Sequence, residues 1–254
     1  MQEKLDLNKT QSASTPEEVK RMQNVLYAST VGSIMYAVRC TGPDVAFAQN
    51  ITSGFQQNPG EPHRTAVKTI LKYLRNTKEM FLICGGNPEA EHQVDYYYDV
   101  GFETNRYDTK SQIGYDFVLN GDVVNWKSSK QSTTTMSAIE AEYIAASEVG
   151  MEAGWIWKFI SGLGIVPIIN EPIKMFCDNS AALHFSNEPR VQKGARHYHR
   201  RYNYVYECIE LGEIKLLKVH TDDNLADPFT KALSKEKLTQ HARSMRLRLD
   251  SSFM

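Results

Sequence analysis

VDYYYDVGF (94–102), KSQIGYDFVLNG (110–121) and DVVNWKSSK (122–130) follow one another near the middle of the chain, and they decide the fold. In the first, Val94, Tyr96 and Tyr98 alternate with Asp95, Tyr97 and Asp99, the period of a strand with one face buried. A second run covers Ile113 to Leu119, and Asn120-Gly121 separates it from a third, Val123 to Trp126. Asn-Gly is the preferred pair for a two-residue hairpin because both positions take positive φ. Three consecutive antiparallel strands are expected.

Beyond them, Ser137 to about Gly162 reads as one or two helices, Ile173 to Cys177 as a short strand, and Asn179 to Asn187 and Arg196 to Leu211 as helices. Glu213 to His220 reads as a strand and Leu225 to Leu233 as a closing helix, an α/β order. Upstream, Tyr27 to Asn50 mixes small and apolar residues, with Gly42-Pro43-Asp44 as a turn or helix start. Pro62 sits in the first turn of a helix that carries Ala66, Val67, Ile70, Leu71 and Leu74 and closes at Asn76-Thr77. Gly85-Gly86-Asn87-Pro88 is the natural boundary. The expected organisation is a polar leader (1–20), a helical piece (21–89), an α/β domain (90–235) and a C-terminal tail (236–254).

The 254 residues are 41% hydrophobic, enough to bury a real core. Cys40, Cys84, Cys177 and Cys208 are widely separated, without the spacing of a zinc site or a disulfide framework. No segment has the roughly 20 continuous apolar residues of a membrane helix, and the start, Met1 to Lys9, lacks the apolar stretch of a signal peptide. The expected setting is intracellular: cytoplasm, a virus-like particle or the nucleus. The net charge of −1 leaves only local attraction for nucleic acid, and Arg190, Lys193, Arg196, Arg200 and Arg201, with His197 and His199 among them, supply it.

Four acids fall where elements begin or end: Asp99, Glu142, Asp178 and Asp227. Carboxylates converging from such places repel one another unless divalent cations neutralise them, and an all-oxygen site selects magnesium or manganese. Two such ions about 3.5 to 4 Å apart activate a water and stabilise the leaving oxygen of a phosphodiester displacement. Helix capping is the plain alternative, above all for Asp178 and Asp227. Glu140 and Glu142 lie about 200° apart around a helix, so both cannot face one site. Glu142 shares its side with Ala138, Ala141 and Ala145, a small apolar face suited to a sheet. Asp95 and Asp99 share a strand face, and periodicity does not choose between them.

SAIEAEYIAA (137–146), FCDNSAAL (176–183) and KVHTDDNLADPFTKAL (218–233) closely resemble the RNase H region of copia-type retrotransposon polyproteins. YYDVGF (97–102), KSQIGYDFVLNG (110–121) and VNWKSSKQST (124–133) extend the likeness in the family's order. YASTVGSIMYAV (27–38), TGPDVAFA (41–48) and PHRTAVKTILKYLRNT (62–77) look like the segment that joins the polymerase palm to RNase H. The resemblance implies an RNase H-like fold, a mixed five-stranded sheet flanked by helices, preceded by a small helical thumb or connection segment. It makes Asp99, Glu142, Asp178 and Asp227 the ligands of two Mg2+ ions, with Mn2+ as a substitute, and so chooses Asp99 over Asp95. It gives His220 a part in proton transfer or product departure. The implied reaction hydrolyses the RNA strand of an RNA–DNA hybrid, with Asn179, Gln131, Lys127 and Lys130 as sugar or phosphate contacts and the rest of the reverse transcriptase as a further partner.

Some positions depart from the family pattern. Gly42 stands where Arg is usual, Ile139 where Thr is usual, and Trp157 and Tyr206 where a basic residue is common. Asp116 interrupts an apolar strand, which costs several kcal/mol if it faces the core unpaired. A catalytically inactive relic or hybrid-binding fragment is therefore the alternative to an active RNase H. The palm motif of a polymerase has no counterpart: Tyr97-Tyr98-Asp99-Val100 lacks the second Asp, and His220-Thr221-Asp222-Asp223 lies in the RNase H segment. No DNA synthesis is expected from this chain alone.

Overall fold

The computed structural model describes residues 7–85, 93–105, 109–164, 172–180, 183 and 199–249. Its helices are α1 (Pro16–Gln23), α2 (Tyr27–Thr41), α3 (Ala46–Ser53), α4 (Glu61–Asn76), α5 (Ala138–Gly162), α6 (His199–Glu210) and α7 (Lys235–Ser244). Its strands are β1 (Met80–Leu82), β2 (Val94–Asn105), β3 (Lys110–Leu119), β4 (Asp122–Lys130), β5 (Ile173–Cys177), β6 (Ile214–Lys218) and β7 (Leu247–Leu249). Five strands form one sheet in the order β4-β3-β2-β5-β6, the first three antiparallel and β5 and β6 joining in parallel. This is the RNase H-like arrangement. The Asn120-Gly121 hairpin turns with φ of 54° and 82°, the conformation its composition favours.

Alternation in β2 sends Val94, Tyr96 and Tyr98 to the face covered by α5, where Ala145, Val149, Ala153, Ile156 and Ile160 form a helical stripe against them. On the opposite face, Val118 and Val123 share a core with Val31, Ile34 and Val38 of α2, Ala66 and Ile70 of α4, and with Phe229 and Met245. Polar ties reinforce this second interface: the Trp126 indole donates to the Val38 carbonyl at 3.0 Å, and the Gln112 amide to Asn50 Oδ1 at 3.0 Å. The helical piece is packed directly onto the sheet.

Several segments differ from the sequence expectation. The leader residues 7–20 hold a 3-10 turn, Lys9–Gln11, and most of α1, whose Thr15 and Glu18 form a capping box around Pro16. Leu225 to Leu233 is not a closing helix: Asp227–Phe229 forms a single 3-10 turn, and the chain starts afresh at Ser234, whose hydroxyl accepts from the Lys237 amide. The ring of Pro228 fits a first turn, and the Thr230 side chain bonds back to the Asp227 carbonyl at 3.1 Å, a local bond that competes with helix continuation. The expected tail builds α7 and β7; β7 pairs antiparallel with β1, and Arg246 ion-pairs with the buried Asp122 at 2.5 Å. Burial of Ala242, Met245 and Leu247 drives this return. Of the helix expected at Asn179 to Asn187, only Asn179, Ser180 and Leu183 lie within the described residues.

Candidate active site

The parallel register of β2 and β5 pairs Asp95 with Lys174 and Tyr97 with Phe176. Continued by two residues along each strand, it sets Asp99 beside Asp178, just past the end of β5. Asp95 is thereby left near Lys174, away from the cluster, and the choice that periodicity left open falls to Asp99.

The third acid arrives on the turn after β6. The Asn224 amide donates to the Tyr98 carbonyl at 3.0 Å, its carbonyl oxygen accepts from the Ala226 amide at 3.2 Å, and Ser128 Oγ donates to the Phe229 carbonyl at 2.5 Å. Gly114, opposite Asp99 in the β2–β3 register, makes room: a Cβ there would lie 2.5 Å from Phe229 Cβ and 3.0 Å from the Ala226 carbonyl oxygen. A bare backbone at this point lets the turn settle on the sheet and bring Asp227 to Asp99.

Asp99, Asp178 and Asp227 each place a carboxylate oxygen within 4.8 Å of the others, and a second trio within the same distance joins carboxylate oxygens of Glu142 and Asp178 with the Cys177 sulfur. Asp178 is the shared member. Glu142, 5% exposed on α5, accepts a weak hydrogen bond from the Cys177 thiol at 3.7 Å and another from the Asn179 side chain. Glu140 remains outside, capping the start of α5 by accepting from the Met136 amide at 2.6 Å. Thr221 donates to Asp178 at 2.8 Å, and the Thr230 hydroxyl donates to Asp99. The ammonium of Lys231 ion-pairs with Asp227 and stands 3.9 Å from Asp99.

The electrostatics follow from burial and crowding. Burial lifts the Asp99 carboxyl to about 6, against the pull of Lys231 and Thr230 and with help from Asp178 and Asp227. Burial, then the neighbouring Asp99 and Asp178, lifts Glu142 well above the ordinary carboxylate range. Burial and Glu142 raise the Cys177 thiol as well, so it stays protonated. Acids held this close retain protons or take up positive charge. A dense set of carboxylate oxygens is the donor chemistry of Mg2+ or Mn2+, and the residues fit such ions.

The other expected residues fall in different places. His220, at the end of β6, is 74% exposed, and its Nδ1 accepts from the Asp222 amide at 3.3 Å. Lys127 and Lys130 are exposed on β4. Gln131 is not: it is 1% exposed, its side-chain amide donates to the Ala141 carbonyl at 2.8 Å, and it ties the end of β4 to α5 instead of meeting solvent. Arg200 and Arg201 lie on α6 with side chains outside the described residues, as is all of Arg196. Sequence reasoning overlooked Cys177, Thr230 and Lys231, although each lies within a motif that carries one of the acids. It also passed over Gly114, whose signal was a lone glycine inside an apolar strand.

No family model matches the chain. The Retrovirus-related Pol polyprotein from transposon TNT 1-94 of Nicotiana tabacum is 36% identical over 233 residues, which is 92% of this chain and 17% of that protein. That from transposon RE1 of Arabidopsis thaliana is 31% identical over 210 residues, 82% of this chain and 14% of that protein. Among solved structures, LC11-RNase H1, isolated from compost, is 15% identical and aligns over 64% of this chain and 99% of its own, with a TM-score of 0.36. The chain thus spans 14% to 17% of these polyproteins. At 36% identity over 92% of its length, it belongs to the family of copia-type retrotransposon Pol polyproteins.

Proposed function

We propose that this chain hydrolyses the RNA strand of RNA–DNA hybrids in a magnesium-dependent reaction, a ribonuclease H. The observation that carries this reading is the convergence of Asp99, Asp178 and Asp227 within 4.8 Å, with Glu142 joined to them through Asp178. These four carboxylates would hold the cations. Two bound Mg2+ ions would supply an activated water and neutralise charge on the leaving oxygen.

The chain's own residues do the rest. Thr221, Thr230 and Asn179 fix the orientations of Asp178, Asp99 and Glu142, so the donors stand ready before substrate arrives. His220 is exposed, and in its protonated form, with Nδ1 facing the Asp222 carboxylate at 3.7 Å, it can give the Nε2 proton to a departing oxygen and return to the neutral ring. Lys127, Lys130, Arg196, Arg200 and Arg201 supply phosphate contacts, and contacts to 2′-hydroxyls select RNA. The remainder of the reverse transcriptase is the partner for the outer side of the helical piece, where Leu26 and Tyr36 are 76% and 75% exposed.

A second reading, a hybrid-binding module without turnover, is favoured by one observation: Asp116 is fully buried with neither carboxyl oxygen hydrogen-bonded among the described residues. Cleavage of a labelled RNA–DNA hybrid with Mg2+ separates the two, with single-stranded RNA and duplex DNA as controls. Hybrid-only cleavage that falls at least about a hundredfold in Asp178→Asn, the loss typical of one removed electrostatic group, supports the nuclease. Binding without cleavage by folded wild-type protein supports the module.

A further inference from the structure

The turn that delivers Asp227 also delivers a base. We propose that Lys231 is a resident counter-cation that competes with divalent ions for Asp99 and Asp227 and so sets how much Mg2+ the site requires. This inference rests on the metal-dependent reading above.

The geometry is asymmetric. The Asp227 and Asp99 side chains are 3% and 6% exposed, whereas that of Lys231 is 43% exposed. The backbone around it is pinned by Ser128 to the Phe229 carbonyl, by Asn224 to Tyr98 and by Thr230 to Asp99. The acids are therefore fixed, and among the described residues the group at this site that is free to leave is the ammonium on its four-carbon stem. Carboxylates within 4.8 Å of one another would repel strongly without it. A divalent ion drawn to the same oxygens meets a positive charge already in contact with two of its ligands. Once displaced, the ammonium stays tethered beside the site, within a side chain's reach of a phosphate there. Lys231 acts through the acids and is a positioning residue.

The test is calorimetric titration of Mg2+ into the full chain without nucleic acid, for wild type, Lys231→Met and Lys231→Arg, with thermal unfolding of each at zero and saturating Mg2+. Lys231→Met is expected to bind Mg2+ about tenfold more tightly, because one unit charge a few ångström away no longer opposes it. It should melt below wild type without metal and recover with metal. Lys231→Arg keeps the charge and should keep the wild-type affinity. A merely structural lysine would lower the melting temperature under both conditions and leave Mg2+ affinity unchanged, and that result overturns the inference. Wild-type protein that takes up no Mg2+ overturns both this inference and the reading it rests on. An affinity shift as expected, in protein that does not cleave hybrid, supports Lys231 as counter-cation and overturns the nuclease alone.

Discussion

Asp116 lies between Tyr97 on β2 and Trp126 on β4 in the sheet register, and so faces the interface with α2 and α3. Burial holds its carboxyl well above the usual range. A protonated carboxyl left unpaired in an interior costs about 1 to 3 kcal/mol. Ionisation adds a second cost. Because the folded pKa is raised, the folded state keeps a proton that the unfolded chain gives up near pH 4. The residue's contribution to stability is complete below that pH and is lost as pH climbs through the folded value, at about 1.4 kcal/mol per pH unit. Asp116→Val fills the strand position with a β-branched apolar residue and removes both costs; Asp116→Asn removes only the titration. Urea unfolding from pH 4 to pH 7 should therefore show the Val variant about 2 kcal/mol above wild type at the acid end, with the gap widening towards neutral pH. The Asn variant should begin level with wild type and separate as pH rises. A Val variant no more stable than wild type at any pH, or an Asn variant that tracks wild type throughout, would refute the assignment of an unpaired, protonated Asp116.

Gly114→Val should lose hybrid cleavage and about 1 to 3 kcal/mol of stability in denaturant, because its Cβ would meet Phe229 Cβ at 2.5 Å and displace the turn bearing Asp227. Unchanged cleavage would mean that the turn is not seated through Gly114. Asp122→Ala leaves the Arg246 guanidinium without its carboxylate and should cost about 1 to 3 kcal/mol, less than a fully buried pair because Arg246 is 33% exposed. Hydrogen exchange should then quicken at Met80–Leu82, the strand that pairs with β7.

The strands and the acids were legible for different reasons. The Asn120-Gly121 hairpin could be read because its composition answers a backbone demand at those two residues. Glu142 could be separated from Glu140 because helical angle puts the two on different sides and Ala138, Ala141 and Ala145 mark the side that packs on the sheet. Asp99 could not be separated from Asp95 by periodicity, since both face the same way; the motif chose, and the register of β2 against β5 supplies the physical reason. Gln131 was expected as a sugar or phosphate contact because sequence does not reveal that its amide meets the Ala141 carbonyl. Lys231 was missed because a continuous helix had been read over a segment where Pro228 and Thr230 make a turn, and only that turn shows which side chains face the acids.

The same turn links the two halves of the fold to the chemistry. Ala226 and Phe229, on either side of Asp227, are wholly buried in the core that the sheet shares with the helical piece, together with Val38, Val118 and Met245. Asp227 is thus held from both sides: Asn224 and Ser128 fasten its turn to the sheet, and the helices close over its apolar neighbours. Asp116 lies in that same interface, where it weakens the contact that seats the turn. If the loss is small, all four acids converge in most molecules, as the proposed cleavage requires. If it is large, Asp227 is the acid that withdraws, because Asp99, Glu142 and Asp178 are placed by the sheet and α5. Relief of Asp116 by valine should then raise Mg2+ affinity and cleavage together in the full chain, although the substitution touches none of the four acids. A stabilised Asp116→Val protein with Mg2+ affinity and cleavage both at wild-type levels would uncouple the interface from the site.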